Sequence, residues 1–169
     1  MTKKLTTKMV GTVGLLVAVH VVLSRFCSIN AWNIKIGFAF VPIFVAAYLY
    51  GPLMAGVVGA LGDFVGAIAV PIGMYFPGFT VTCFLTGVIF GLLLHKKQTA
   101  PHILGAVIVD QLVLGLLLNT LWISILYGAP YRSLLVTRIV QSAILIPVEF
   151  LTIGFVMRTL FHRRRGVIS

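Results

Sequence analysis

Asn119 and Trp122 stand three residues apart in LLLNTLWISILYG (Leu116–Gly128). On a helix both project to one side, together with Gly115 and Leu126. An amide beside an indole can clamp a flat heteroaromatic ring, the first by hydrogen bonding and the second by stacking. Further along, Arg138, Gln141, Leu145 and Glu149 line up, because eleven residues return a helix to within about 20° of its starting direction. Arg25 and Asp63 add a second cation and a second carboxylate. A guanidinium fork matches a carboxylate with two parallel hydrogen bonds. These residue types point to binding of a flat, anionic ligand rather than to bond making. For the Asn119–Trp122 pair alone, an interhelical hydrogen bond with an interfacial tryptophan is the competing reading. Motifs for catalysis are missing from the sequence: there is no HExxH and no Gly-rich phosphate loop, and Ala60–Asp63 (ALGD) lacks the first glycine of the GxGD protease motif.

The elements that must position these residues are membrane spans. Of 169 residues 60% are hydrophobic and only 9% charged, with a mean hydropathy of +1.11, too few charges to cover a soluble surface. The expected fold is all-α, a bundle of six transmembrane helices near 9–26, 38–50, 53–70, 77–94, 101–127 and 135–160, forming one integral-membrane domain over 1–169. The first apolar segment lacks a cleavage pattern and is read as a span rather than a signal peptide. The second is short, and the stretch before it, Ser28–Gly37, reads as a loop or re-entrant element. Thirteen Lys and Arg against three Asp and Glu give +10, but most of the cations cluster at the ends of apolar runs, which disfavours nucleic acid as the partner. With both termini cytoplasmic, nine basic residues (Lys3, Lys4, Lys8, Lys96, Lys97, Arg158, Arg163, Arg164 and Arg165) lie inside and four (Arg25, Lys35, Arg132 and Arg138) outside, as the positive-inside rule requires. Cys27 and Cys83 form no metal or redox pattern and read as small packing residues; neither a metal nor a cofactor is expected.

Polar groups inside the spans are costly. An amide in hydrocarbon needs a partner, so Asn119 should face other helices or a cavity. A guanidinium at mid-span costs roughly 2.5–3.5 kcal/mol on insertion scales, so Arg25 and Arg138 call for compensation by an internal carboxylate or an incoming anion. Arg132 and Lys35 are read as snorkelling to the interface. All three acids fall inside spans. Asp63 can reach the cavity; Asp110, nine residues from Asn119 and half a turn out of phase on an α-helix, is expected to point away and serve packing. His20 is read as a packed, neutral histidine. Small residues form three stripes: Thr7, Gly11, Gly14 and Ala18; Gly56, Gly59, Asp63 and Gly66; and Cys83, Gly87 and Gly91. Such faces either pack the bundle or dock a partner. Pro71–Thr80 (PIGMYFPGFT) is a loop by its prolines and glycines; its Tyr75, Phe76 and Phe79 form either an interfacial belt or a lid.

The chain resembles the substrate-binding S-components of energy-coupling factor vitamin transporters, more narrowly the folate-specific type. The resemblance rests on LSRFCSI (Leu23–Ile29), FAFVP (Phe38–Pro42), YGP (Tyr50–Pro52), GDFVGAIAVPIGMYFPGFT (Gly62–Thr80), LLNTLWISILYG (Leu117–Gly128), and Arg138, Gln141 and Pro147. It implies high-affinity binding of folate in an outward-facing cavity, delivery into the cell, and partnership with a transmembrane coupling subunit (EcfT type) and two ATPases (EcfA type) on which hydrolysis takes place. The chain itself is then not an enzyme. In such a site Arg25 and Arg138, with Gln141 and with Lys35 or Arg132 in support, meet the anionic groups; Trp122, Tyr75, Phe76 or Trp32 sandwich a ring, with Phe79 in the same lid; Asn119 and Asp63 read the pterin edge. Gly11, Gly14 and Ala18 match the small residues that contact the coupling subunit. An S-component for another water-soluble vitamin and a stand-alone proton-coupled transporter are the alternatives.

Overall fold

Six helices of alternating direction make up the bundle, and proline and glycine set most of their ends. The computed structural model describes residues 6–31, 34–96 and 99–165. The helices are α1 (Thr7–Arg25), α2 (Phe40–Tyr50), α3 (Pro52–Ala69), α4 (Pro77–Leu94), α5 (Ala100–Tyr127) and α6 (Tyr131–Arg165). Proline opens α3 and α4 and sits in the first turn of α5, where its missing N–H would have had no helical partner. Gly51 alone separates α2 from α3. Its φ of +89° is a backbone setting that side chains rarely accept. Gly128, at φ +62°, caps α5. Five helices are long and apolar enough to cross a membrane, while α2 has 11 residues, about 16 Å of helix and half a hydrocarbon core. The segment between α1 and α2, expected as a loop or re-entrant element, carries a small antiparallel hairpin. Its strands are β1 (Ser28–Ala31) and β2 (Ile34–Gly37), with Ser28 opposite Gly37 and Ala31 opposite Ile34.

Within α5, residues Asp110–Leu118 are wound as a π-helix. The i→i+5 bonding widens each turn from 3.6 residues to roughly 4.4. Nine residues that make two and a half α-helical turns therefore make about two π-helical turns. Asp110 comes round to the same side as Asn119, and both face the interior cavity. The expectation that Asp110 points away is thus corrected, because it assumed α-helical phase throughout.

The small-residue faces of α3 and α4 are spent on each other. A β-carbon added at Gly87 would lie 2.3 Å from the Ala55 carbonyl carbon, at Gly91 2.1 Å from Pro52 Cα, and at Gly59 2.3 Å from the Cys83 carbonyl oxygen. These contacts are backbone on backbone, so glycine is what allows the approach. The far side of α3 receives α1: Gly62 takes the His20 ring and Gly66 the Arg25 side chain. The His20 ring also hydrogen-bonds the Ala39 carbonyl at 3.0 Å, tying α1 to the start of α2. The α1 stripe differs: Gly11, Gly14 and Ala18 are exposed, and none of the described residues lies within 4 Å of a β-carbon at either glycine.

Apolar packing is concentrated at one end of the bundle. Phe44, Ala47, Ala55, Val58, Phe90, Leu94, Ile103, Val107, Ile153 and Met157 are buried together, where α2, α4 and α6 finish and α3 and α5 begin. At the opposite end the helices splay around a cavity. Large apolar side chains such as Leu15, Leu53, Ile68, Leu92, Leu151 and Phe155 face outward, a continuous greasy surface suited to lipid.

Candidate binding cavity

The cavity measures about 510 Å³, within the range that holds a drug-sized ligand. Of the ten expected ligand contacts, eight line it: Arg25, Asp63, Tyr75, Phe76, Phe79, Asn119, Arg138 and Gln141. Trp122 stands just behind the wall, and Trp32 lies outside the described residues. Arg132 is exposed and away from the cavity, which fits the snorkelling reading.

At the mouth, Arg25 ends α1 and reaches across to α3. Its Nη2 is 3.9 Å from Asp63 Oδ1 and 3.4 Å from the Asp63 carbonyl. The other carboxylate oxygen accepts from Thr80 at 2.8 Å, and Thr80 meets the Tyr75 hydroxyl at 3.2 Å. Asp63 is therefore held by a cation and a hydroxyl. The Arg25 Nε is buried and has no hydrogen-bond partner among the described residues, leaving a donor on offer. Such a group is costly unless an acceptor arrives.

The aromatic loop closes over this mouth. Phe76 packs on Trp122 with ring centres 5.6 Å apart and on Phe79 at 6.1 Å, while Tyr75 meets Phe64 edge-on at 5.9 Å. The Trp122 indole donates to Thr82 at 3.1 Å, and Thr82 donates to the Gly78 carbonyl at 3.0 Å. Gly78 matters here because a β-carbon would collide with Phe76 and Trp122 at 2.5 and 2.6 Å. Trp122 thus backs the lid instead of forming the cavity wall. The helix face towards the cavity runs through Asn119, Ile123 and Leu126.

Midway down, Arg138 is 6% exposed and donates through Nη1 to the Gly115 carbonyl at 3.0 Å. Gln141 follows one turn on. Asn119 presents a buried Oδ1 with no partner among the described residues. At the deep end sit residues that the sequence reading passed over or set aside. Gln111 donates to Glu149 at 2.6 Å and Ser142 to the Gln111 carbonyl at 3.4 Å, with Asp110 and Thr86 beside them in the cavity lining. A signal for them existed: an ionisable residue inside a span is a functional-site candidate by default, and Asp110 and Glu149 were two of only three acids.

Chemically, the cavity offers donors near the mouth, aromatic surface above and acceptors below. Among the described residues no cluster of three or more His, Cys, Asp or Glu is arranged to hold a metal.

Comparison with known proteins follows the same line. The family described as "ECF transporter, substrate-specific component" matches residues 8–156. The folate transporter FolT of Clostridium novyi (strain NT) is 39% identical over 139 residues, covering 82% of this chain and 81% of the relative. A second folate transporter FolT, from Leuconostoc mesenteroides subsp. mesenteroides, is 28% identical over 153 residues, with 86% and 82% covered. A crystal structure of FolT bound with folic acid superposes with a TM-score of 0.85 at 32% identity, over 89% of this chain and 93% of the other. The S component of a bacterial ECF transporter shares the fold at a TM-score of 0.68 and 22% identity, covering 96% and 98%. With its helical bundle, splayed end and matched length, this chain belongs to the substrate-specific components of ECF transporters.

Proposed function

We propose that the chain binds folate in the cavity beneath Tyr75, Phe76 and Phe79, where the α3–α4 loop enters α4, and serves as the folate-specific S-component of an energy-coupling factor transporter. The observation that carries the reading is a hollow of about 510 Å³ lined by Arg25, Arg138, Asn119 and an aromatic lid, in a chain similar to a FolT that holds folic acid. Folate has a flat pterin, a benzoyl ring and a glutamate with two carboxylates. The pterin edge needs paired donors and acceptors, the rings need apolar walls, and the glutamate needs cations. The cavity supplies all three classes of contact.

In this reading residues 1–169 act as one membrane-embedded binding unit with both termini in the cytoplasm, because nine of the thirteen basic residues then lie inside. The mouth formed by Arg25 and the aromatic loop faces outward. A transmembrane coupling subunit and two ATPases supply the energy, and the chain performs no chemistry of its own. The open stripe Gly11, Gly14 and Ala18 is the surface offered to the coupling subunit, since the other two small-residue faces are buried within the bundle.

Titration calorimetry on the purified chain tests the ligand. Folic acid should bind tightly, while riboflavin, thiamine and biotin should not. Tight binding of one of those vitamins with none of folic acid would replace folate as the substrate. Proton-driven folate uptake by the chain alone in liposomes would instead favour a stand-alone transporter.

A further inference from the structure

The deep end of the cavity holds two carboxylates that the helices do not satisfy. Asp110 is 7% and Glu149 3% exposed. Asp110 Oδ1 and Glu149 Oε2 are buried without a hydrogen-bond partner among the described residues, and both residues line the cavity. An open acceptor removed from water costs free energy until a donor reaches it. One of the remaining oxygens is already positioned: Gln111 donates to Glu149 Oε1 at 2.6 Å. Glu149 is therefore held at one oxygen and open at the other, and Asp110 is open at Oδ1.

Their depth is set by helix geometry. From Tyr131, where α6 starts at the mouth, Glu149 is 149 − 131 = 18 residues along and Arg138 is 138 − 131 = 7, about 27 Å and 10 Å of helix. The cavity is thus graded, with guanidinium donors above and carboxylate acceptors below. Asp63 cannot serve as the deep acceptor, because Arg25 and Thr80 already engage it at the mouth.

We infer that Asp110 and Glu149 accept hydrogen bonds from the 2-amino group and adjacent ring N–H of a pterin, so that the heterocycle enters first and the glutamate stays near Arg25. This rests on the folate reading above and adds which end of the ligand goes where and which residues recognise it. A pterin edge presents two donors side by side, and arginines, which only donate, cannot meet it. A glutamate tail presents acceptors only, and the open carboxylate oxygens below offer acceptors in turn.

The test compares folic acid with 2-desamino-folic acid, which lacks the exocyclic amine, by titration calorimetry on wild type, Asp110→Asn and Glu149→Gln. Wild type should prefer folic acid by about tenfold, the scale of one buried hydrogen bond. Each variant should lose about that factor for folic acid. The variant at the carboxylate that meets the amine should bind the desamino ligand as wild type does, while the other, facing the retained ring N–H, should lose affinity for both ligands. Equal wild-type affinity for the two ligands overturns the assignment, as do variants that keep wild-type affinity for folic acid. The wild-type comparison decides the matter even if a variant fails to fold. Wild type that binds neither ligand sinks the folate reading itself, a result distinct from binding both equally.

Discussion

Arg138 of α6 donates to the carbonyl of Gly115, inside the π-helical stretch of α5, across 3.0 Å. One side chain thereby joins the two helices that carry most of the polar residues of the cavity. The bond uses one arm of the guanidinium and fixes the plane of the rest. Lysine cannot reproduce this, because a compact ammonium lacks the fork. Arg138→Ala should therefore weaken folate binding at least about tenfold, and Arg138→Lys should recover only part of the loss. Truncating one partner of a desolvated charge pair costs roughly 2–5 kcal/mol, so the expected effect lies well within reach of titration calorimetry. Wild-type affinity in the alanine variant would remove Arg138 from the site.

Arg25 and Asp63 form the ion pair at the mouth, and their side chains are only 11% and 16% exposed. The carboxylate offsets the cost of holding the cation inside the protein while leaving Nε open. Arg25→Ala should also reduce folate affinity at least about tenfold. Asp63→Asn should weaken binding less, through loss of Arg25 positioning. The two changes should not add in the double variant, since residues in one network couple by about 0.5–3 kcal/mol. Strict additivity would show that the pair does not act as a unit.

Much of the bundle was legible because long apolar runs end in proline, glycine or charge. The six spans fall within a few residues of expectation, except that α6 starts earlier, at Tyr131, and extends further, to Arg165. The small-residue stripes were equally visible. Their partners were not, because a glycine face looks the same whether it packs inward, as Gly59 and Gly87 do, or stays open, as Gly11 and Gly14 do. The misreading of Asp110 has a definite cause: helical phase was carried through a segment that changes its pitch. Nothing in DQLVLGLLL announces a π-helix, since its residue types suit an α-helix equally well. The position of Trp122 behind Phe76 was hidden for a related reason. It depends on how the segment 71–76 folds back onto the first turn of α4, which begins at Pro77, inside the expected Pro71–Thr80 loop, and a three-residue spacing cannot encode that.

The α3–α4 interface makes a prediction about stability rather than binding. Gly87→Ala places a methyl group against the Ala55 backbone, which cannot rotate away. Overpacking typically costs about 1–3 kcal/mol, so the variant should melt at a lower temperature in detergent. Gly105→Ala, on α5 with nothing within 4 Å of the added carbon, should be neutral or slightly stabilising by helix propensity. Equal melting temperatures for the two variants would contradict the close α3–α4 approach.

The lid predicts an effect on rate. Trp122→Phe retains an aromatic ring against Phe76 but removes the indole donor to Thr82, which spans 3.1 Å. A hydrogen bond of about 1 kcal/mol corresponds to roughly a fivefold change. The lid should open more readily, so folate dissociation measured by stopped-flow should quicken by about that factor, with a smaller change in association. A slowed dissociation would place Trp122 outside the lid.

The open stripe on α1 separates binding from delivery. Among the described residues nothing lies within 4 Å of a β-carbon at Gly11 or Gly14, and neither lines the cavity, so side chains added there should leave the site intact. Small residues let a second helix come close, and leucine at either position would hold that helix away. Gly11→Leu and Gly14→Leu should therefore bind folate as wild type does in calorimetry. Reconstituted in liposomes with the coupling subunit and ATPases, both variants should lose most ATP-driven folate uptake. Uptake at the wild-type level would mean that the coupling subunit docks elsewhere. Loss of folate binding in the isolated variants would mean that the stripe supports the fold itself. Only intact binding combined with failed delivery assigns this face to the partner, and the open space beside both glycines among the described residues is the reason to expect it.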